Sequence, residues 1–404
     1  MQLRKKIPFF DLNRQYEMIK DKVNVAVYDV LCSGQFIEGP AVKELEKKLG
    51  EYLGVKHVIT CGNGTDALRI ALMANGVGEG DEVIVTAFSF FATAEAIAQV
   101  GAIPVFVDIS PDDFNMCVSA LREKISDKTK AILPVHIFGM PADMDGINKI
   151  AVEYGIPVLE DACQAIGAVY KGKKAGALGT IGCFSFYPTK NLGAFGDGGM
   201  MATNDDKLAN TCRAIKSHAS GKTGWRTYVD LYDPAAGELE QWNGESGSDN
   251  LYDPFKYYNY FIGCNSRLDS IQAAVLLVKL NYLDKLNEKR NKIADAYAKG
   301  LAGLPLQIPQ SAPQNNYSCW HQYAILCDKK QELIQYLADH GIGAGNFYPV
   351  PLHLQKAFQY LGYSEGSLPV AEEICRKSVC LPIFPELTDD EVEYIIDTLK
   401  SYFR

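Results

Sequence analysis

The chain has eleven cysteines but not one Cys-x-x-Cys pair. An odd number of thiols, scattered through apolar contexts such as Ile181-Gly182-Cys183-Phe184, is the pattern of free cysteines in a reducing compartment. It argues against a disulfide framework, a zinc site or an iron–sulfur cluster. Basic charge is also scarce. The formal net charge is -9, so a nucleic-acid partner, which needs a basic face, is not expected; a local site for a phosphorylated small molecule stays compatible with it. No apolar run reaches the length of a membrane span, and the basic stretch Met1-Gln2-Leu3-Arg4-Lys5-Lys6 is not followed by one. Neither a signal peptide nor a membrane partner is therefore expected, and the reading is a cytoplasmic protein. What is present is ordinary globular composition, 47% hydrophobic and 22% charged over 404 residues, enough for two domains and a large core.

Between about residues 55 and 200, short apolar runs alternate with helical periods. The runs are Val83-Ile84-Val85, Val105-Phe106-Val107, Ala131-Ile132-Leu133, Val158-Leu159 and Cys183-Phe184-Ser185-Phe186. Amphipathic segments lie between them, such as Met144 to Tyr154, with Ile147, Ile150 and Ala151 on one face. Continuous apolar runs mean strands buried on both faces, hence an α/β fold with a largely parallel sheet and helices on either side. Ligands of such sheets bind beyond the carboxyl ends of the strands. Residues 218–260 interrupt the alternation with Gly, Asp, Ser and aromatics, hold Trp225 and Trp242, and repeat Leu-Tyr-Asp-Pro at 231–234 and 251–254. This excursion reads either as a surface loop with two similar turns or as an aromatic flap over a site or subunit boundary. Arg267 then opens a long helical stretch expected to run to about Leu301. The remainder reads as α+β, with a strand over Trp320–Leu326 and a terminal helix over Asp390–Tyr402.

Four elements fall at strand ends. Lys190 follows Ser185-Phe186-Tyr187-Pro188-Thr189 and precedes the glycines at 193, 196, 198 and 199. A lysine at the rim of a core tends to a lowered pKa, which suits imine chemistry. Cys61-Gly62-Asn63-Gly64-Thr65-Asp66-Ala67-Leu68 is a glycine turn opening a helix, whose free N–H groups and Thr65 hydroxyl suit a phosphate. Glu160-Asp161 ends an apolar strand; such an acid either needs a buried partner or caps the next helix. Phe88-Ser89-Phe90-Phe91 supplies aromatics after the strand at 83–87. A lysine for a Schiff base, an acid for a pyridinium nitrogen, an aromatic to stack and a helix start for a phosphate are the parts of a pyridoxal 5'-phosphate site.

With those residues in view, the chain resembles the nucleotide-sugar aminotransferases of the DegT/DnrJ/EryC1/StrS family. The motifs are Phe10-Asp11-Leu12, Gly62 to Leu68, Glu160-Asp161, Ser185 to Gly193 and Asn265-Ser266-Arg267-Leu268-Asp269. The resemblance implies the fold type I, aspartate aminotransferase-like architecture: a mostly parallel seven-stranded sheet sandwiched by helices in a large domain over 1–275, with a smaller C-terminal α+β domain over 276–404. It implies Lys190 as the Schiff-base lysine, Asp161 on the ring nitrogen, Gln164 on the ring hydroxyl and Phe90 as the stacking ring. Gly64, Thr65, Asp66 and Ser185 would hold the phosphate. Asn265 would reach the phosphate of the neighbouring subunit's cofactor in a homodimer, and Arg267 and His321 would lie near substrate, His321 being equally readable as a packed core histidine. The 218–260 excursion is longer than the family pattern.

The activity so implied is transfer of an amino group from L-glutamate to a nucleotide-linked keto sugar. Phe347 to Gln355 and Pro141 to Asp145 are similar to enzymes aminating a dTDP-linked 3-keto-6-deoxyhexose. Gly34 to Pro40 and His321-Gln322-Tyr323 are similar to enzymes acting on UDP-2-acetamido-3-keto-glucuronate. Amination at C3 for surface-polysaccharide or O-antigen synthesis is the expectation. C4 amination, a cofactor-dependent sugar dehydratase and a non-catalytic regulator are the alternatives.

Overall fold

The computed structural model describes residues 6–235 and 257–404. Trp242 and the second Leu-Tyr-Asp-Pro, at 251–254, lie outside the described residues. The large sheet is built from β1 (His57–Cys61), β2 (Glu82–Thr86), β3 (Ile103–Val107), β4 (Thr129–Leu133), β5 (Leu159–Asp161), β6 (Ile181–Ser185) and β7 (Gly199–Thr203). Its order is β3-β2-β4-β5-β6-β7-β1, with single bridges Ile132–Val158 and Val135–Asp161 joining β4 to β5. Only β7 runs antiparallel, against both β6 and β1. The expected mostly parallel seven-stranded sheet is therefore present.

Alternation along each strand explains why the apolar runs are unbroken. Val83 and Val85 enter a core with Phe106, Ala131 and Leu133, while Ile84 joins Val107 and Ile132 on the opposite face. Successive side chains of a strand point to opposite faces, so a strand covered on both sides must be apolar at every position. Helices α1 (Leu12–Ser33), α2 (Pro40–Leu53), α3 (Gly64–Ala74), α4 (Ala92–Gln99), α5 (Val118–Arg122), α6 (Met144–Tyr154), α7 (Asp206–Ile215), α8 (Gly221–Tyr232) and α9 (Ser270–Leu280) accompany the sheet. Of these, α3, α4 and α7 bury Leu68, Ile97 and Cys212 on one face. On the other, α6 buries Ile147 and Ile150, and α2 and α9 bury Leu45 and Leu276.

The single long helix expected from Arg267 to Leu301 is instead two, α9 and α10 (Leu283–Gly300). The chain turns at Asn281–Tyr282, where Asn281 Nδ2 donates to Leu277 O at 2.8 Å and ties off the end of α9. Residue 275, the expected domain boundary, lies inside α9. After α10 come β8 (Tyr323–Leu326), α11 (Lys330–Asp339), α12 (Pro369–Lys377), β9 (Ser378–Leu381) and α13 (Asp389–Tyr402). The expected strand at Trp320 starts three residues late, because Trp320 has a left-handed backbone with φ 44°. Tyr297, Tyr323, Ile325, Leu333, Val379 and Ile395 form the core of this C-terminal part. In the excursion, α8 packs Trp225, Tyr228 and Tyr232 against Tyr260 and Phe261. Among the described residues no helix is long and apolar enough to cross a membrane, and no His, Cys, Asp or Glu cluster could hold a metal.

Candidate active site

The carboxyl ends of β2, β5 and β6 and the start of α3 surround one cavity of about 430 Å³. At the end of β6, Phe186 is fully buried and its N–H donates to Gly198 O at 2.8 Å, while the Lys190 N–H closes a turn onto Tyr187 O at 2.8 Å. Gly193 is obligatory there, since a Cβ would stand 2.3 Å from Pro188 O. Gly199 lets the returning strand touch the α3 start, where a Cβ would stand 2.4 Å from Asn63 O. Buried anchors on both sides of a tight loop thus present Lys190 to the cavity. Desolvation lowers its pKa below the ordinary lysine value, against the opposing influence of Cys163 and Asp161. The amine is therefore more readily neutral than a surface lysine.

Asp161 is 4% exposed. Its Oδ2 accepts from the Thr93 hydroxyl at 2.8 Å, its Oδ1 accepts from the Cys163 N–H at 3.1 Å, and Thr93 Oγ1 shares a 2.8 Å contact with Ser89 Oγ. No helix follows Asp161, so its reading as an N-cap is set aside; it is a buried carboxylate held by two donors. Neighbouring Glu160 does different work. Its oxygens accept from the N–H groups of Gly176, Leu178 and Gly179 and pair with His136 Nε2 at 2.8 Å. His136 Nδ1 accepts from the Ala142 N–H, so Nε2 carries the proton and donates to Glu160.

At the start of α3, Asn63 Oδ1 caps the helix by accepting from the Asp66 N–H at 2.8 Å. Gly64 packs so tightly on β6 that a Cβ would stand 2.7 Å from Ser185 Cβ. Gly64, Thr65 and Ser185 line the cavity together at the positive end of the helix dipole. Phe90 lies on its wall, 58% exposed. Gln164 is buried there, its Oε1 accepting from the Phe138 N–H at 2.8 Å and its Nε2 donating to the Tyr348 hydroxyl at 2.9 Å.

His321 combines the two roles considered for it. It is buried, 3.2 Å from Asn191 Oδ1, and it also lines the cavity. Asn191 spends its Nδ2 on Asn287 Oδ1 and Cys319 O, so its oxygen accepts and His321 Nδ1 must donate. Burial first, then Lys190 and Arg290, push the imidazole well below its ordinary pKa. It is a neutral ring.

Three expected site residues are elsewhere. Asp66 is committed to Ser266 Oγ at 2.7 Å and Arg69 Nη2 at 2.7 Å, with its N–H spent on the cap. Asn265 is exposed and Arg267 half-buried, and neither lines the cavity of its own chain. Thr93, Asn191 and Tyr348 were not singled out from sequence. Thr93 had a signal, since it lies four residues after Ser89 and two beyond the Phe88–Phe91 segment marked at a strand end. A wider cleft of about 920 Å³ between α10 and α13 shares no residue with this site.

Pyridoxal phosphate fits the residues present. A glycine cradle that a Cβ would fill, a dipole-positive helix start, a desolvated lysine, a doubly held buried carboxylate and an exposed ring meet in one cavity. Comparison with known proteins agrees. The model of the DegT/DnrJ/EryC1/StrS aminotransferase family matches residues 17–400. The chain is 44% identical to the "pleiotropic regulatory protein" of Geobacillus stearothermophilus, over 98% of this chain and 99% of the other. It is 39% identical to the UDP-2-acetamido-2-deoxy-3-oxo-D-glucuronate aminotransferase of Pseudomonas aeruginosa, over 98% and 100%. Among solved structures, DesV of S. venezuelae in complex with a ketimine intermediate superimposes with a TM-score of 0.87 at 35% identity, covering 99% of each chain.

Proposed function

Because the chain belongs to the DegT/DnrJ/EryC1/StrS aminotransferase family, we propose that it moves an amino group from L-glutamate to C3 of a nucleotide-linked keto sugar. The observation that carries the reading is the meeting of Lys190, Asp161 and the Gly64–Ser185 cradle in one cavity. The cofactor of this enzyme class is pyridoxal 5'-phosphate, which when bound supplies a ring that accepts electrons from the carbon losing its proton. Lys190 would hold the cofactor covalently, and Gly64, Thr65 and Ser185 would hold its phosphate. Phe90 would cover the ring face. Gln164 keeps one Nε2–H unspent for the ring hydroxyl.

Asp161, fixed by Thr93 and the Cys163 N–H, would keep a proton on the ring nitrogen. Lys190, once released, would carry a proton from the donor Cα, a task favoured by its lowered pKa. Neutral His321 would offer an unprotonated Nε2 on the same wall. Glutamate and sugar would use the cavity in turn, giving ping-pong kinetics. Likeness to a 3-oxo-glucuronate aminotransferase supports C3.

Asn265 and Arg267, off their own cavity, would serve the partner's site in a homodimer. The product would feed surface-polysaccharide synthesis in the cytoplasm. Glutamate should bleach the visible absorbance of the loaded enzyme, and a UDP- or dTDP-linked 3-keto sugar should restore it. Recovery with 4-keto sugars alone would overturn C3; no bleaching with any amino donor would overturn aminotransfer and favour a dehydratase or regulator.

A further inference from the structure

Gln322 lines the same cavity as Lys190 and is 5% exposed. Five buried side-chain polar atoms lack a hydrogen-bond partner among the described residues, and Gln322 Oε1 alone belongs to a residue on this cavity's wall. The contrast with Gln164 is instructive, since both ends of that carboxamide are bonded. Among the described residues only the backbone of Gln322 is bonded, its N–H donating to Phe138 O at 3.4 Å beside the His321 N–H on the same oxygen at 2.8 Å. The main chain is therefore pinned while the amide head has no partner among the described residues. Burying an unpartnered amide is unfavourable, and a group kept so at a ligand cavity is explained by a ligand that completes it.

We infer that Gln322 is a substrate-recognising residue whose carboxamide bonds a ring hydroxyl of the keto-sugar acceptor. The orphan atom is an acceptor and needs a donor. Phosphates and ionised carboxylates only accept, so neither the cofactor phosphate nor the carboxylates of glutamate can satisfy Oε1. The amino nitrogen of the donor is engaged at the reacting carbon. A sugar hydroxyl can donate to Oε1, the buried atom that has no partner among the described residues. Gln322 would thus select the second substrate and leave the first untouched.

The inference rests on the keto-sugar reading above, and separate half-reactions test it on the holoenzyme. Gln322→Met keeps the length and removes the hydrogen bonds. Its glutamate half-reaction, followed by bleaching, should stay within about twofold of wild type and also reports that the variant folds. Its sugar half-reaction should lose about tenfold in kcat/KM through KM, the effect of one neutral hydrogen bond. A second measurement needs no variant: deoxy analogues of the sugar, each lacking one ring hydroxyl, should include one that loses the same factor with wild type. Equal losses in both half-reactions, an unchanged sugar half-reaction, or no sensitive hydroxyl would overturn the inference while the keto-sugar reading stands. Wild-type enzyme that aminates no nucleotide-linked keto sugar would overturn that reading and this inference with it.

Discussion

Lys190 and Asp161 act through their surroundings. Desolvation depresses the Lys190 pKa, so cofactor-free enzyme should capture pyridoxal phosphate through a neutral amine at lower pH than a solvated lysine would. The capture rate should rise with pH through a midpoint below about 10.4, the free-lysine value; a midpoint at or above it would contradict a desolvated amine. Asp161 depends on Thr93, which donates its hydroxyl hydrogen to Oδ2. Thr93→Val keeps the branched shape and removes that donor. A hydrogen bond to a charged group is worth about 1.5–3 kcal/mol, so kcat should fall at least tenfold, with a modest fall in stability beside it. An unchanged kcat would mean that Asp161 is held adequately by the Cys163 N–H alone. Neither effect is visible in the residue string, because the lysine's environment and the aspartate's donor come from segments far away in sequence.

At the scale of elements, the end of β5 divides its two adjacent acids between structure and chemistry. Glu160 points to one side of the sheet and gathers His136 and three backbone N–H groups, while Asp161 points to the other and meets the cavity. Period-two alternation makes this split unavoidable for neighbours on a strand. Glu160→Gln would set an amide NH2 against N–H donors that now meet a carboxylate oxygen. Loss of a hydrogen bond to a buried charged group costs about 1.5–3 kcal/mol, to be read as a lower denaturant midpoint; a change under about 1 kcal/mol would show that the loop at 176–179 is held by other contacts.

Burial decides which strands are legible in the sequence. The runs at 83–85, 105–107 and 131–133 were legible because β2, β3 and β4 are buried on both faces. Gly199-Met200-Met201-Ala202-Thr203 was not, since it opens with glycine and carries little β-branching. The break between α9 and α10 escaped because the apolar stripe continues across it and no Pro or Gly marks the turn.

For the whole molecule, the exposed Asn265 poses a question that mixing can answer. If it completes the partner's site, Lys190→Ala and Asn265→Ala should each be nearly inactive alone. Mixed, unfolded and refolded together, they should regain about a quarter of wild-type activity, because a mixed dimer has one intact site. No regain, with mixed dimers demonstrated by mass, would place Asn265 outside the site. Five of the large sheet's seven strands are legible in the sequence as unbroken apolar runs, His57–Cys61 and Gly199–Thr203 are not, and the cofactor class is legible from a set of motifs in order.

Sequence alone settled which chemistry this chain can perform, because imine chemistry requires a lysine, an acid, a ring and a phosphate cradle, and each leaves a local signature at a strand end or helix start. Tertiary structure decided how those groups are held and which neighbours share their cavity. It turned Asp66 away to Ser266 and Arg69, set Thr93 behind Asp161, made His321 a neutral ring through burial beside Lys190 and Arg290, and left Gln322 Oε1 without a partner among the described residues. Hydrogen bonds and desolvation between segments scores of residues apart depend on how the chain packs, and no local pattern encodes them.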